Sequence, residues 1–371
     1  MEVKSQTLHI GSRRVGPGEA VYLVAEMSAN HGQDFEQAVK ILSAAKEAGA
    51  DAVKLQTYTP DTLTINVDND CFRVAGGTLW DGRTLHELYA EAYTPWEWQP
   101  KLKKIADKME LDLFSTPFDD TSVDFLESIG VPAYKIASFE LVDLPLIRRI
   151  ARTGKPVIMS TGMATLEEME EAVRTFEEAG GTELALLKCT SAYPALPEDM
   201  NLCSIAHLGH VFNLPIGLSD HTLGIAVPIT AVALGACIVE KHFTISRNLA
   251  GPDKAFSLEP HEFRQMANAI RTAEKAMGRV CYGASSEEAK SRLFRRSLFV
   301  VADVKAGETF TTDNIRSIRP GHGLHTRYLA DILGCTAAKD IQRGTPLAWE
   351  MISEKNSSDL VKVRSQQQLN A

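Results

Sequence analysis

The sequence predicts an α/β chain in which a (β/α)8 TIM barrel is followed by a small β-rich domain. Three features carry this expectation. Short, apolar, β-branched runs recur eight times before residue 243, and mostly apolar runs suit strands covered on both faces. Long amphipathic segments separate the runs, and strand–helix alternation implies right-handed crossovers and a parallel sheet. After Met277 the pattern changes to short strand signals punctuated by glycine, as in a β-rich module.

The eight expected strands are Val21–Ala25, Ala52–Gln56, Leu111–Ser115, Ala133–Ser138, Val157–Thr161, Leu184–Cys189, Ile216–Ser219 and Ile238–His242. Phe35–Glu47 typifies the intervening helices: Ala38, Ile41, Leu42 and Ala45 form one apolar stripe. Leu166–Ala179 and Phe263–Met277 share the same pattern. Eight such units in about 280 residues fit a barrel. A doubly wound open sheet is the alternative. It would usually carry a Gly-rich fingerprint after its first strand, and Glu26–Gly32 is not one.

The expected organisation is a barrel over 1–284, a linker over 285–296, a β-rich domain over 297–352 and a disordered tail over 353–371. Within the small domain Asp303-Val304-Lys305-Ala306-Gly307 echoes Asp340-Ile341-Gln342-Arg343-Gly344, which predicts pseudo-duplicated turns.

Composition narrows the function. The 371 residues are 44% hydrophobic and 23% charged, with a formal net charge of −9. An acidic chain lacks the phosphate attraction of a nucleic-acid binder. A small anionic substrate remains compatible if the lysines are concentrated locally. The most apolar stretch, Ile225 to Val239, is shorter than the ~20 residues of a membrane span and contains Pro228. Met1 to Gln6 is polar and leads into no signal-peptide core. Six scattered cysteines without a Cys-x-x-Cys pair read as reduced thiols. The expectation is a cytoplasmic protein with no nucleic-acid or membrane partner.

In a barrel of this kind the active site lies at the carboxyl ends of the strands. Those ends carry Glu26 and Asn30; Lys54 and Gln56; Ser115 and Thr116; Lys135, Ser138 and Glu140; Ser160; Thr190, Ser191 and Tyr193; Ser219 and His221; Glu240 and His242. Lys54 and Lys135, with the hydroxyls, could hold a phosphate and a carboxylate. Each lysine could equally pair with a glutamate. His221 and His242 could share one divalent ion, or serve as core histidines. Glu26, Glu140 and Glu240 are candidate acids or bases, or members of structural ion pairs. In the small domain, Arg319 on a Gly- and His-containing loop could close over a polar ligand or be a solvated basic residue.

These strand ends resemble the sialic acid synthase family, whose members condense phosphoenolpyruvate with an amino-sugar aldehyde. The resemblance rests on Glu26-Met27-Ser28-Ala29-Asn30-His31, Val53-Lys54-Leu55-Gln56, Ser115-Thr116-Pro117-Phe118 and Lys135-Ile136-Ala137-Ser138-Phe139-Glu140. It continues through Ser160-Thr161-Gly162-Met163, Cys189-Thr190-Ser191-Ala192-Tyr193-Pro194, Gly217-Leu218-Ser219-Asp220-His221-Thr222, Glu240-Lys241-His242-Phe243-Thr244 and Gly251-Pro252-Asp253. The small domain resembles the family's antifreeze-like (SAF) domain. Within the family, Gln56-Thr57-Tyr58-Thr59-Pro60-Asp61, Gly76-Gly77-Thr78-Leu79-Trp80-Asp81 and Lys188 look like the pseudaminic branch. Ser28-Ala29 stands where the neuraminic branch usually has Gly-Ile.

The resemblance implies a transferase that joins phosphoenolpyruvate to 2,4-diacetamido-2,4,6-trideoxy-L-altrose and releases phosphate by C–O cleavage. It implies a divalent metal, Mn²⁺ or Mg²⁺, on His221 and His242. Lys54, Lys135 and the strand-end hydroxyls would hold phosphoenolpyruvate. Glu140 would stabilise the cationic centre or handle the water proton. Glu26 and Asp253 would orient sugar or water, with Gln56, Ser191 and Tyr193 completing the shell. Arg319 would reach the sugar from the partner in a domain-swapped homodimer. Flagellin or surface-glycan decoration would use such a product. Rival readings are an N-acetylneuraminate or legionaminate synthase, a Schiff-base aldolase through Lys54 or Lys135, and a non-catalytic sugar-phosphate binder.

Overall fold

The structure, a computed structural model, describes residues 7–75, 77, 80–249 and 251–353. The tail expected from residue 353 onward lies, after Ser353 itself, outside the described residues. So do Met1 to Gln6 and, in the Gly76–Asp81 motif, Gly76, Thr78 and Leu79. The chain divides into two compact units, Met1–Gly278 and Arg279–Ala371. The division therefore falls a few residues before the expected start of the linker.

The first unit opens on a hairpin absent from the sequence-based expectation: β1 (Leu8–Ile10) pairs antiparallel with β2 (Arg13–Val15). Three-residue strands carry too short a pattern to register as alternation. Leu8, Ile10 and Val15 are buried in one cluster with the barrel-interior residues Tyr22, Val24, Ala52 and Phe114. Arg13 pairs with Asp51 and Asp112, and the His9 amide donates to Glu183. All three acidic residues sit at or before the start of a strand. The hairpin therefore closes the amino-terminal mouth, and the opposite end stays open for chemistry.

The barrel strands are β3 (Tyr22–Glu26), β4 (Ala52–Thr57), β5 (Asp112–Pro117), β6 (Tyr134–Ile136), β7 (Val157–Ser160), β8 (Leu184–Cys189), β9 (Ile216–Asp220) and β10 (Ile238–His242). They close in the order β10-β3-β4-β5-β6-β7-β8-β9, and each pairing is parallel. This is the expected (β/α)8 barrel, with strand limits differing by one or two residues. Alternation sets two faces. Leu23, Val53, Leu55, Leu113 and Val239 pack outward with Ile41, Leu42, Phe263 and Ile270 of the helices. Intervening residues point inward. Helix Phe35–Ala48 starts where Asp34 accepts from the Glu36 and Gln37 amides, and it stops at Gly49 with φ +94°.

In the second unit the stretch expected as plain linker holds a short helix, Ser286–Ser291, capped by Ser285. β11 (Ser297–Val300) pairs with β12 (Ile315–Ile318), and β13 (Thr336–Ala337) with β14 (Ile352–Ser353). The echoed segments face one another. Val304 and Ile341 exchange both backbone hydrogen bonds, at 2.9 and 2.8 Å. The Ala306 amide donates to Asp340, and the Arg343 amide donates to Asp303. Each echo thus caps the turn of the other, a reciprocal arrangement with local two-fold symmetry. Leu298, Phe310, Ile332 and Leu347 fill the core between them.

Candidate active site

Inward-facing side chains at the carboxyl ends of the strands build one polar cluster. Lys54, from β4, lies 3.0 Å from Glu26 on β3 and 3.4 Å from Glu240 on β10, and donates to Thr116 on β5. All four are buried. Two carboxylates share one ammonium. Burial pushes Glu26 up to about 7, against the pull of Lys54. Burial acts on Glu240 too, but Lys54, Lys135 and His221 hold it below the ordinary range. Of the two carboxylates, Glu26 is therefore the one that takes a proton more readily, although it is the nearer to Lys54. Burial alone would discharge Lys54; Glu240 and Glu26 keep it charged.

Lys135 is different. It is 1% exposed, donates to Ser160 Oγ at 2.6 Å and to the Ile136 carbonyl at 2.9 Å, and has no ion-pair partner among the described residues. Burial pulls the Lys135 pKa down, and Glu240 offsets this only from beyond ion-pair distance, so its ammonium form is costly until an anion joins it. Around it the strand ends offer hydroxyls and a backbone donor: the Gly162 amide donates to Ser138 Oγ at 3.0 Å. A Cβ at residue 162 would collide with Ser191 Oγ and stand 2.7 Å from Ser138 Oγ, so glycine there keeps a cradle open.

His221 and His242 close the far side, with ring centroids 5.4 Å apart. The His221 Nδ1 lies 2.9 Å from the Thr190 carbonyl oxygen. A carbonyl can only accept, so Nδ1 carries a proton; against burial, Cys189 and this carbonyl raise the His221 pKa, and Nε2 is the nitrogen that would give up its proton to a metal. His242 Nδ1 is buried with no hydrogen-bond partner. Burial, with the charges of His221, Lys54 and Lys241, keeps His242 neutral. With the His221 Nε2 deprotonated, the two imidazoles could share one divalent ion. Among the described residues, no three of His, Cys, Asp and Glu are grouped to hold a metal. Water and substrate oxygens would supply the other positions. Tyr193 packs over His221 at 4.3 Å and Phe256 over His242 at 4.8 Å.

The rim beyond β3 holds the neutral polar groups. Gln56 donates to Glu26 and to Ser28 Oγ, at 3.1 and 3.0 Å. Asp253 accepts from the Ala29 amide at 3.1 Å; burial raises its pKa, and the nearby Ser28 hydroxyl helps lower it. Glu140 sits in the turn after β6 with one carboxylate oxygen buried and unpartnered. Burial raises its pKa to about 7, opposed by Lys135.

The structure thus brings together Glu26, Lys54, Gln56, Thr116, Lys135, Ser138, Ser160, Ser191, Tyr193, Ser219, His221, His242 and Asp253, with Glu140 at the edge. It does not bring in every expected residue. Ser115 shares the outward face of Leu113, and its hydroxyl meets Thr57 Oγ1 at 2.6 Å; alternation turns it away. Thr190 offers its carbonyl rather than its hydroxyl, which donates to the Asp199 carbonyl. Asn30 is a clasp, donating to the Phe243 carbonyl and Ser257. Lys188 shares the outward face of Leu218 and donates to the Cys189 carbonyl. Arg319 is exposed in the second unit. Ser28 and Gly162 join the site although the sequence marks neither as a candidate; both lie inside motifs that carry the family resemblance.

Residues 41–282 match the NeuB family and residues 295–353 match the SAF domain. Over 327 residues the chain is 46% identical to the pseudaminic acid synthase of Helicobacter pylori, covering 88% of this chain and 96% of that protein. It is likewise 46% identical to the pseudaminic acid synthase of Campylobacter jejuni, covering 88% and 95%. The crystal structure of N-acetylneuraminic acid (sialic acid) synthetase from Leptospira borgpetersenii matches with a TM-score of 0.69 at 32% identity, covering 78% of this chain and 96% of that one.

Proposed function

The chain belongs to the NeuB family, and on that premise we propose that it condenses phosphoenolpyruvate, water and 2,4-diacetamido-2,4,6-trideoxy-L-altrose into pseudaminic acid and phosphate. The observation that carries this reading is Lys135, buried beside Ser160 with no carboxylate within ion-pair distance among the described residues. An anionic substrate would supply the missing charge. Lys54 would add a second cation, and Ser138, Ser191 and the Gly162 cradle would supply directed contacts.

In the reaction, C3 of phosphoenolpyruvate forms a bond to the aldehyde carbon, and the aldehyde oxygen takes a proton. C2 becomes oxocarbenium-like. Water adds there and gives up one proton, and the C2–O bond to phosphate breaks as the new hydroxyl passes its proton to the departing phosphate and becomes the C2 ketone. Glu140, with its pKa raised to about 7, is suited to take the water proton and to oppose the positive charge at C2. Glu26, whose pKa burial raises to about 7, would orient sugar or water and exchange a proton near neutral pH. A divalent ion on His221 and His242, Mn²⁺ in our reading, would polarise the aldehyde oxygen as a Lewis acid. Tyr193 and Phe256 would fix the two imidazoles and exclude water. Lys54 is held as an ammonium by two carboxylates, which argues against its acting as a Schiff-base nucleophile.

The enzyme would work as a homodimer. Phe139, Val142, Met163, Leu196 and Leu223 are exposed large apolar residues in the loops after β6, β7, β8 and β9. An apolar arc around the mouth of the barrel suits cover by a second copy. Arg319 from that copy would contact the sugar. No described helix is long and apolar enough to cross a membrane, and we assign the reaction to the cytoplasm, feeding flagellin or surface-glycan decoration.

The test is phosphate release from phosphoenolpyruvate with each candidate sugar, with Mn²⁺ and with EDTA. Metal-dependent release with the diacetamido-trideoxy-altrose alone supports the reading. Release with N-acetylmannosamine instead would keep the chemistry and overturn the sugar assignment.

A further inference from the structure

Ser28 occupies a backbone conformation that serine rarely adopts, and it does so inside the site. It lies two residues past β3 and begins the short turn Ser28–His31, with φ +45°. At positive φ the Cβ of an L-residue crowds its own backbone. Such strain persists only where the surroundings hold it in place. Ser28 is 4% exposed, so this is not a loosely held loop tip.

Its hydroxyl accepts from one group and has a second, Asp253, nearby. Gln56 Nε2 lies 3.0 Å from Ser28 Oγ and 3.1 Å from Glu26 Oε1. With both N–H groups of that amide engaged, Gln56 is locked in one orientation and its carbonyl oxygen is left as an acceptor. Ser28 Oγ therefore accepts from Gln56, and its own proton is free for the Asp253 carboxylate. Asp253 also accepts from the Ala29 amide. The Ser28–Ala29 step thus links an amide on β4, through the hydroxyl, to a carboxylate in the loop after β10, through the following amide.

We propose that Ser28 is a positioning residue for the sugar: its strained backbone is retained because the hydroxyl aims Gln56 and Asp253 at the polar groups of the N-acyl aldose. This deepens the synthase reading and rests on it. Phosphoenolpyruvate is held elsewhere, around Lys135 and Ser160, so its binding should not depend on Ser28.

Ser28→Gly removes the strain and the hydroxyl together, whereas Ser28→Ala removes only the hydroxyl. Steady-state kinetics of phosphate release and thermal denaturation of both variants separate the two effects. Expected is a sugar KM raised about tenfold in both, as for one buried hydrogen-bond link. The phosphoenolpyruvate KM should stay within about twofold, and the Tm of Ser28→Gly should lie above that of Ser28→Ala. An unchanged sugar KM, or an equal rise in both KM values, would overturn the positioning role. A Ser28→Gly Tm below that of Ser28→Ala would overturn the strain argument. If the native enzyme uses a different aldose, the sugar assignment fails and the same comparison is made on the aldose it uses.

Discussion

The Lys241 ammonium and the Asp220 carboxylate lie 2.5 Å apart with neither side chain exposed to solvent. They face outward from β10 and β9, whereas their neighbours His242 and His221 face inward. Lys241 also donates to the Thr222 carbonyl, and Asp220 accepts from the Thr222 amide and hydroxyl. The pair therefore fastens two adjacent strand ends at the level of the two imidazoles.

Removing one member should be worse than removing both. Lys241→Met leaves a buried carboxylate, and Asp220→Asn leaves a buried ammonium. Each should cost about 3–5 kcal/mol. The double variant should cost clearly less than the sum, because no unpaired charge remains. Denaturant titration of the four proteins measures the coupling. Additive losses would show that the pair is not a unit.

Glu140 sets a pH dependence. Its folded-state pKa, about 7, exceeds the ordinary glutamate value of 4.5 because burial outweighs the pull of Lys135. The folded state then binds more protons than the unfolded state between those values. The associated stability is present below about pH 4.5 and is lost as pH rises through 7. Glu140→Gln should make stability less sensitive to pH across this window. It should also lower kcat about a hundredfold and remove an acid limb near pH 7 from the kcat/KM profile. A parallel pH profile in the variant would assign that limb elsewhere.

The barrel was legible because parallel strands buried on both faces leave runs that stand out between amphipathic helices. Most of the cluster was legible for a related reason: the site collects the residues at and just past the carboxyl end of each run. What failed was the face. Ser115 and Thr116 are neighbours, and only the register of β4 against β5 decides that Thr116 meets Lys54 while Ser115 meets Thr57. Likewise Lys241 is as fully buried as the site lysines but on the other side of the sheet. The hairpin Leu8–Val15 escapes sequence reading because its strands are three residues long and the partners that hold it, Asp51, Asp112 and Glu183, are remote in sequence. The strain at Ser28 shows only in its φ, which composition does not reveal.

Gly162 gives a test of the anion end without a change in charge. Its φ is not in the left-handed region, so Gly162→Ala adds no backbone strain of that kind. The new methyl would displace Ser138 and Ser191. The phosphoenolpyruvate KM should rise at least about tenfold, the scale of one misplaced buried hydrogen bond, while Tm changes little. A sugar KM that rises alone would move Ser138 and Ser191 to the other substrate.

The two imidazoles make the metal prediction separable from activity. His221 has its Nδ1–H turned to the Thr190 carbonyl, and His242 keeps a buried Nδ1 without a partner. Two neutral nitrogen ligands hold an ion jointly, so losing one should weaken binding far more than half. His242→Ala should raise the Kd for Mn²⁺ at least about tenfold, a threshold consistent with the loss of a metal-site contact, in a titration of the protein without substrates. Phosphate release should fall in parallel and recover partly at high metal concentration. His242→Gln, which keeps a neutral polar group and more of the volume, should fold as the native protein does and still bind Mn²⁺ weakly. If Mn²⁺ titrates both variants as it does the native enzyme, His242 is a packing partner of Phe256 and the ion, if any, is held elsewhere.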